Sequence, residues 1–259
     1  MPATKGKTLM KELEVFITVH DQERILDFES SKSVKHLSSY KYVFVGNGDI
    51  TKVSHLDNIV VARQLPFNIE EEEYKLLVSY TAWYALVMNN LIDSEYVALI
   101  HYDVKLNEDF ERSTLSCLQT NGNQILGYVP FSMLHRDFLE INIGTHPLFI
   151  AMQNNYHVDI YDLIKEYIAR TNDTTWPSAD QIAVSAPMLC KFVKWFIPLI
   201  NDLKLYRGCG HSFERSIKFF CILNNIPNSY MPNVLKHYQL DSHGTQFTQK
   251  RPQSLKNIQ

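Results

Sequence analysis

Three stretches of the chain share one hydrophobic pattern. "LEVFITVHD" is apolar and β-branched up to His20 and Asp21, and "YKYVFVGNGD" stays apolar until Gly46, Asn47, Gly48 and Asp49. "SEYVALIHYD" is apolar from Tyr96 to Ile100 and then meets His101, Tyr102 and Asp103. Runs that are apolar at successive positions predict strands covered on both faces. Sheets of that kind gather ligands at the carboxyl ends of their strands, so the polar residues closing each run are candidates for function. A solvated strand end is the plainer reading of any single Asp. "GNGD" is also good turn chemistry with no ligand at all.

Between the second and third strands lies "NIEEEEYKLLVSYTAWYALVMNN", with Asn68 as N-cap and acids in the first turn. Tyr74, Leu77, Val78, Thr81, Tyr84, Ala85 and Met88 fall on one stripe at helical spacing, which predicts a helix with one core-facing side. "NQILGYV", residues 123–129, predicts a further strand. The second half turns helical, with predicted helices over 157–170, 187–203 and 212–225, and "QIAVSA" as a candidate strand between the first two. Strands alternating with helices, followed by helices alone, predict an α/β fold around one central sheet. No Gly/Ser/Pro linker divides the halves, so 1–245 reads as one domain and 246–259 as a polar C-terminal tail.

The chain has 259 residues and is 45% hydrophobic, enough for a substantial core. With 25 Lys and Arg against 28 Asp and Glu, its formal charge is −3, and no basic block is long enough to track a nucleic-acid backbone. Cys117, Cys190, Cys209 and Cys221 form no CxxC pair, which argues for reduced thiols rather than a zinc knuckle. The opening residues lack a signal-peptide pattern and no apolar run approaches the roughly 18 residues needed to span a bilayer, so the expectation is a soluble, cytoplasmic protein.

"TAWYALVMNNLIDSEYVALIHYD" resembles the segment of small bacterial and viral glycosyltransferases in which a helix reading "GLYWIWKN" precedes a strand ending in "HY". "DQIAVSAPMLCKFVKWFIPLI" followed by "GHSFERSIKFFCIL" is similar to their later half, where a strand, a long aromatic helix and a helix opening with "ER" follow in that order. The matches span residues 14–225, and their order carries the resemblance. It implies a GT-A fold, a Rossmann-like central sheet that binds a nucleotide-diphospho-sugar, with a helical C-terminal half. It also implies transfer of a sugar, with a UDP-sugar as the leading donor, to the hydroxyl of a glycan acceptor.

Where those relatives carry two arginines after "HY", this chain has Asp103 and Val104. Many GT-A enzymes place an Asp-x-Asp motif there to hold a divalent cation, and "HYD" keeps only the final acid, with His101 or Tyr102 in the place of the first. The resemblance therefore implies Mn²⁺ or Mg²⁺ held by Asp103, with His243 in "LDSHGTQ" as a second ligand. It brings Thr18, His20, Asp21, Asn47, Gly48, Asp49 and Tyr102 to the nucleotide sugar. Inverting transfer needs a carboxylate base, for which Glu214 is the first candidate, with Arg215 beside it to pair or to meet phosphate. Asp180, near Trp176 as an aromatic sugar platform, is the second. A retaining mechanism would need no such base, and a non-catalytic nucleotide-sugar or glycan-binding GT-A relative is the alternative function.

Overall fold

The computed structural model describes residues 11–30, 34–69, 78–133, 144–170, 174–204, 206 and 208–237. All three apolar runs form strands: β1 (Lys11–Val19), β2 (Tyr40–Phe44) and β4 (Ser94–His101), with β3 (Ile59–Val61) after β2. They enter a seven-stranded sheet that is completed by β6 (Ile125–Gly127), β9 (Ile182–Ser185) and β10 (Asn228–Tyr230), in the order β10-β6-β9-β4-β1-β2-β3. β1, β2, β3 and β4 are mutually parallel, whereas β9 runs antiparallel to both β4 and β6. Two ribbons stand apart from the sheet. One pairs β5 (Val104–Leu106) with β11 (Leu235–His237), and the other pairs β7 (Pro130–Met133) with β8 (Thr174–Pro177).

Side chains of a strand alternate between faces, and here both faces meet a core. Leu13, Val15, Ile17 and Val19 of β1, with Ala98 and Ile100 of β4, pack on one side; Phe16, Val97 and Leu99 pack on the other. The first side is covered by α1 (Gln22–Ser30) and α3 (Phe110–Asn121) through Ile25, Phe28, Phe110 and Leu118. The second is covered by α2 (Val78–Met88), α4 (Thr145–Tyr156), α5 (Ile160–Arg170), α6 (Ala186–Phe196), α7 (Ile200–Leu203) and α8 (Cys209–Leu223). Its centre is aromatic: Trp83 meets Phe213 at 5.0 Å and Phe192 at 5.8 Å between ring centroids.

Two expectations about helices change. The stripe expected on α2 is too narrow, because Tyr80, Ala82, Trp83, Leu86 and Val87 are buried along with Thr81 and Ala85. The helix is wedged between sheet and outer helices, so its polar residues are buried too. Asn68 donates to the Arg63 and Leu65 carbonyls, closing the preceding turn, and residues 70–77 lie outside the described residues. The helix expected over 187–203 is broken by a 3-10 turn, Ile197–Leu199, that contains Pro198. No helix among the described residues is long and apolar enough to cross a membrane.

Candidate active site at the carboxyl edge of the sheet

Because β1, β2 and β4 are parallel, their polar ends emerge at one edge. His20 is exposed beyond β1, and Gly46 to Asp49 follow β2. The two loops touch: a side-chain carbon added at Gly48 would lie 3.2 Å from the His20 carbonyl oxygen and 3.1 Å from the Phe44 ring. Thr18 is buried within β1 and paired with His101, so its side chain sits in the sheet rather than at its rim. Asp21 accepts from the Glu23 amide at 3.0 Å, ordering the first turn of α1. Asp49 accepts from the Thr51 amide and hydroxyl, which hold its carboxyl below the usual carboxylate value. Arg63 closes the same loop by donating to the Gly46 and Gly48 carbonyls at 2.8 and 3.0 Å.

The Tyr102 ring meets His20 edge-on at 5.5 Å and carries the buried Arg24 guanidinium over it at 5.6 Å. Next to it, Asp103 begins the short ribbon in which His237 of β11 pairs with Val104 of β5. That ribbon brings His237 Nε2 to 3.2 Å from Asp103 Oδ2. Burial would raise the Asp103 carboxyl, but the hydrogen bond and charge of His237, with His101 adding, hold it below the usual value. Its second oxygen, Oδ1, is buried without a hydrogen-bond partner. A carboxylate with a free buried oxygen suits Mn²⁺ or Mg²⁺, and the imidazole beside it is acceptable to Mn²⁺. Among the described residues no cluster of three or more His, Cys, Asp and Glu surrounds a metal position, so phosphate oxygens would have to complete a shell. His243 lies outside the described residues; His237 is the histidine that meets Asp103.

The antiparallel strand supplies the other half. β4 and β9 pair antiparallel as far as Leu99 and Ile182, so the 3-10 turn Ser178–Asp180 that precedes β9 comes to the edge where β4 ends. Ser79 of α2, itself buried, lies 2.7 Å from His101 Nε2. Ser79 engages Nε2 of His101, and burial lowers the His101 pKa, with Asp103 opposing.

Asp180 has a left-handed backbone, φ 53°, and its Oδ1 is buried without a partner. Burial first, and the Glu214 charge second, raise its pKa well above the carboxylate value, against Ser79 and Arg215. Arg215 is ion-paired to Glu214 and lies 4.9 Å above the Trp176 ring. Trp176 is therefore not an open sugar platform: it is 1% exposed beneath the guanidinium. Of the two acids Glu214 is the more open, with 15% of its side chain exposed. A cavity of about 370 Å³, lined by Leu86, Ile92, Ser94, Pro187 and Cys190 among others, opens at the opposite edge, where β4 begins, and takes in none of these residues.

No known family signature matches the chain, and no curated protein matches it in sequence. Among solved structures it is similar to the bifunctional glycosyltransferase WbbM, at 12% identity over 88% of this chain and a TM-score of 0.59. It spans 45% of WbbM's length. The fold is of the GT-A type. Two looser likenesses are the mannosyltransferase Ktr4p from S. cerevisiae (11% identity, 93% of this chain and 74% of that one, TM-score 0.49), and the glucosyl-3-phosphoglycerate synthase from Mycobacterium tuberculosis in complex with Mn²⁺, UDP and phosphoglyceric acid (13%, 93% and 72%, 0.44).

Within this GT-A fold, sequence reasoning had singled out Asp103, Tyr102, His20, Asp180, Glu214 and Arg215, and all six lie along one edge. It passed over His237, Ser79 and Arg24. A signal existed for His237 in "VLKHYQL", a short alternating strand that ends on a histidine. Ser79 carries none, because a serine in an apolar helix reads as a small core residue.

Proposed function

We propose that the chain is a glycosyltransferase that moves a sugar from a nucleotide-diphosphate sugar to an acceptor hydroxyl. One observation supports this above the others: the Asp103 carboxylate, with a free buried oxygen and His237 beside it, sits where the parallel strands of a GT-A sheet end. Asp103 would hold Mn²⁺ or Mg²⁺, with His237 a second ligand to Mn²⁺, and the cation when bound supplies Lewis-acid stabilisation of the charge that grows on the departing diphosphate. His20, Tyr102 and the loop Asn47 to Asp49 are the groups set to receive the nucleotide, and a UDP-sugar is the first donor to test.

Glu214 is the proposed base, as the more open of the two carboxyls. It takes the proton of the attacking hydroxyl at its carboxylate, while Arg215 keeps that carboxylate oriented. Asp180 lies behind it and favours its protonated form, which spares the pocket a second negative charge. The acceptor as a glycan, inversion at the sugar and a single domain over 1–245 belong to this same proposal.

The test is a panel of UDP- and GDP-hexoses assayed for release of nucleoside diphosphate with and without Mn²⁺ or Mg²⁺, on wild type and Asp103→Ala. Metal-stimulated cleavage that disappears in the variant, with the fold intact by circular dichroism, is expected. Full metal-dependent turnover by Asp103→Ala would refute the cation assignment. Binding of a donor without turnover under any metal would favour a non-catalytic GT-A relative, a reading sustained by the single strand-end acid of "HYD".

A further inference from the structure

Arg24 is 5% exposed in the first turn of α1, and its Nε and Nη1 are buried without a hydrogen-bond partner among the described residues. A guanidinium is always charged, and a buried charge is costly unless it is paired and hydrogen-bonded. The contacts of Arg24 fall short of that. Asp27, one turn further along the helix, stands 4.0 Å from Nη1 with 30% of its side chain exposed, and the Tyr102 ring lies 5.6 Å from the guanidinium carbon. A long ion pair open to water and one cation–π contact offset only part of the cost of burial.

We propose that Arg24 binds the diphosphate of the nucleotide-sugar donor. The inference rests on the transferase reading. Its place points there first: Tyr102, the ring against the guanidinium, precedes Asp103 in the chain and meets His20 at 5.5 Å, so Arg24 stands behind the rim proposed to hold the cation and the nucleotide. Its chemistry points the same way. A divalent cation shared with the Asp103 carboxylate leaves negative charge on a diphosphate ester, and the fork of an arginine matches phosphate oxygens two at a time. Two other cations near this edge are already engaged, Arg63 by the Gly46 and Gly48 carbonyls and Lys52 by Glu23. Neither Nε nor Nη1 of Arg24 has a hydrogen bond to give up, so turning the guanidinium from the Tyr102 face to a phosphate is a rotamer change of the kind that commonly accompanies binding. A residue in this condition serves the ligand rather than the fold, and removing its charge should leave the ligand-free protein no weaker.

The experiment titrates the full chain with UDP, GDP and inorganic pyrophosphate in Mg²⁺ by calorimetry, for wild type, Arg24→Met and Arg24→Lys, and records the ligand-free Tm of each. Arg24→Met keeps the stem and a favourable contact with the Tyr102 ring. It is expected to weaken both pyrophosphate and the nucleoside diphosphate that wild type binds by about 10- to 100-fold, while the ligand-free Tm rises or stays within about 2 °C of wild type. Arg24→Lys should recover part of the affinity, since an ammonium keeps the charge and loses the fork.

Wild-type affinity in Arg24→Met would overturn the assignment and leave the transferase reading standing. So would a loss confined to the nucleotide with pyrophosphate unchanged, the mark of a residue that only props the Tyr102 ring. A larger drop in ligand-free Tm would identify a partner within the fold and overturn it likewise. A wild-type chain that binds neither UDP nor GDP would overturn the transferase reading and this inference with it.

Discussion

Replacing Arg215 with Met tests whether Asp180 and Glu214 are held together by the guanidinium between them. Arg215 has 8% of its side chain exposed, pairs with Glu214, donates to the His211 carbonyl at 3.2 Å and lies 4.9 Å above Trp176. Burial lowers its own pKa, while Glu214 and Asp180 push it back up. Methionine keeps a stem of similar length and a favourable sulfur–indole contact, so the packing changes little and the charge is lost. Breaking a buried ion pair by removing one partner costs about 3–5 kcal/mol. Water reaches the partly open Glu214, which places this pair at the lower end, about 3 kcal/mol. For a domain of this size that is a fall in Tm of about 6–12 °C.

The sign of the pH dependence is a sharper test than the size. Asp180 has a folded pKa raised above its unfolded value, so the stability linked to it is complete at acidic pH and lost as pH rises through the folded value. Arg215 restrains that rise. Without it the folded value moves higher, so the deficit of Arg215→Met should widen as pH rises from acidic to mildly alkaline. Thermal and urea unfolding across that range would measure it, with Asp180→Asn added as a second change that removes the titrating group and should restore part of the loss at the upper end. Asparagine tolerates the left-handed backbone as well as aspartate does. A deficit that is the same at both ends of the range, or no recovery in the double variant, would refute the account of Asp180 as a carboxyl restrained by Arg215.

Glu214→Gln should lower donor-to-acceptor or donor-to-water turnover by about 10²- to 10⁴-fold while donor affinity, measured by calorimetry, is retained; a fully active variant would move the base to Asp180 or point to retention, and the anomeric configuration of the product would choose between them. Gly144→Ala should destabilise by about 2–4 kcal/mol in urea melts, because Gly144 has φ 92° and an added carbon would lie 2.6 Å from the Ser212 amide nitrogen and 2.7 Å from the His211 carbonyl carbon. That clash falls on the first turns of α8, so Glu214 should shift and activity fall with stability; wild-type stability in this variant would contradict the close approach.

Strand positions were legible where burial on both faces left an unbroken apolar run, as in β1, β2 and β4. The short strands were not: β5, β7, β8 and β11 are three or four residues each and exist by pairing with a distant partner, which no local periodicity encodes. α1 and α3 also escaped notice, since each offers only three or four buried positions over 9 and 12 residues. The prolonged helix over 187–203 was read through Pro198, which the structure uses to break it.

From the sequence alone it was legible that three apolar strands end in polar groups and belong to a buried sheet; that they run parallel, so that His20, Asp49 and Asp103 share an edge, came from the tertiary structure. Only the tertiary structure decided what meets them there. The direction of β9 is a matter of which edge of β4 it joins and which way round, and running antiparallel it carries Asp180 to the edge where β4 ends rather than to the far one. The pairing of β5 with β11 places His237 on Asp103 across more than a hundred residues of chain. Ser79 meets His101 because α2 is covered on its outer side as well as its inner one, and a buried hydroxyl must find its partner among whatever groups the packing brings within reach.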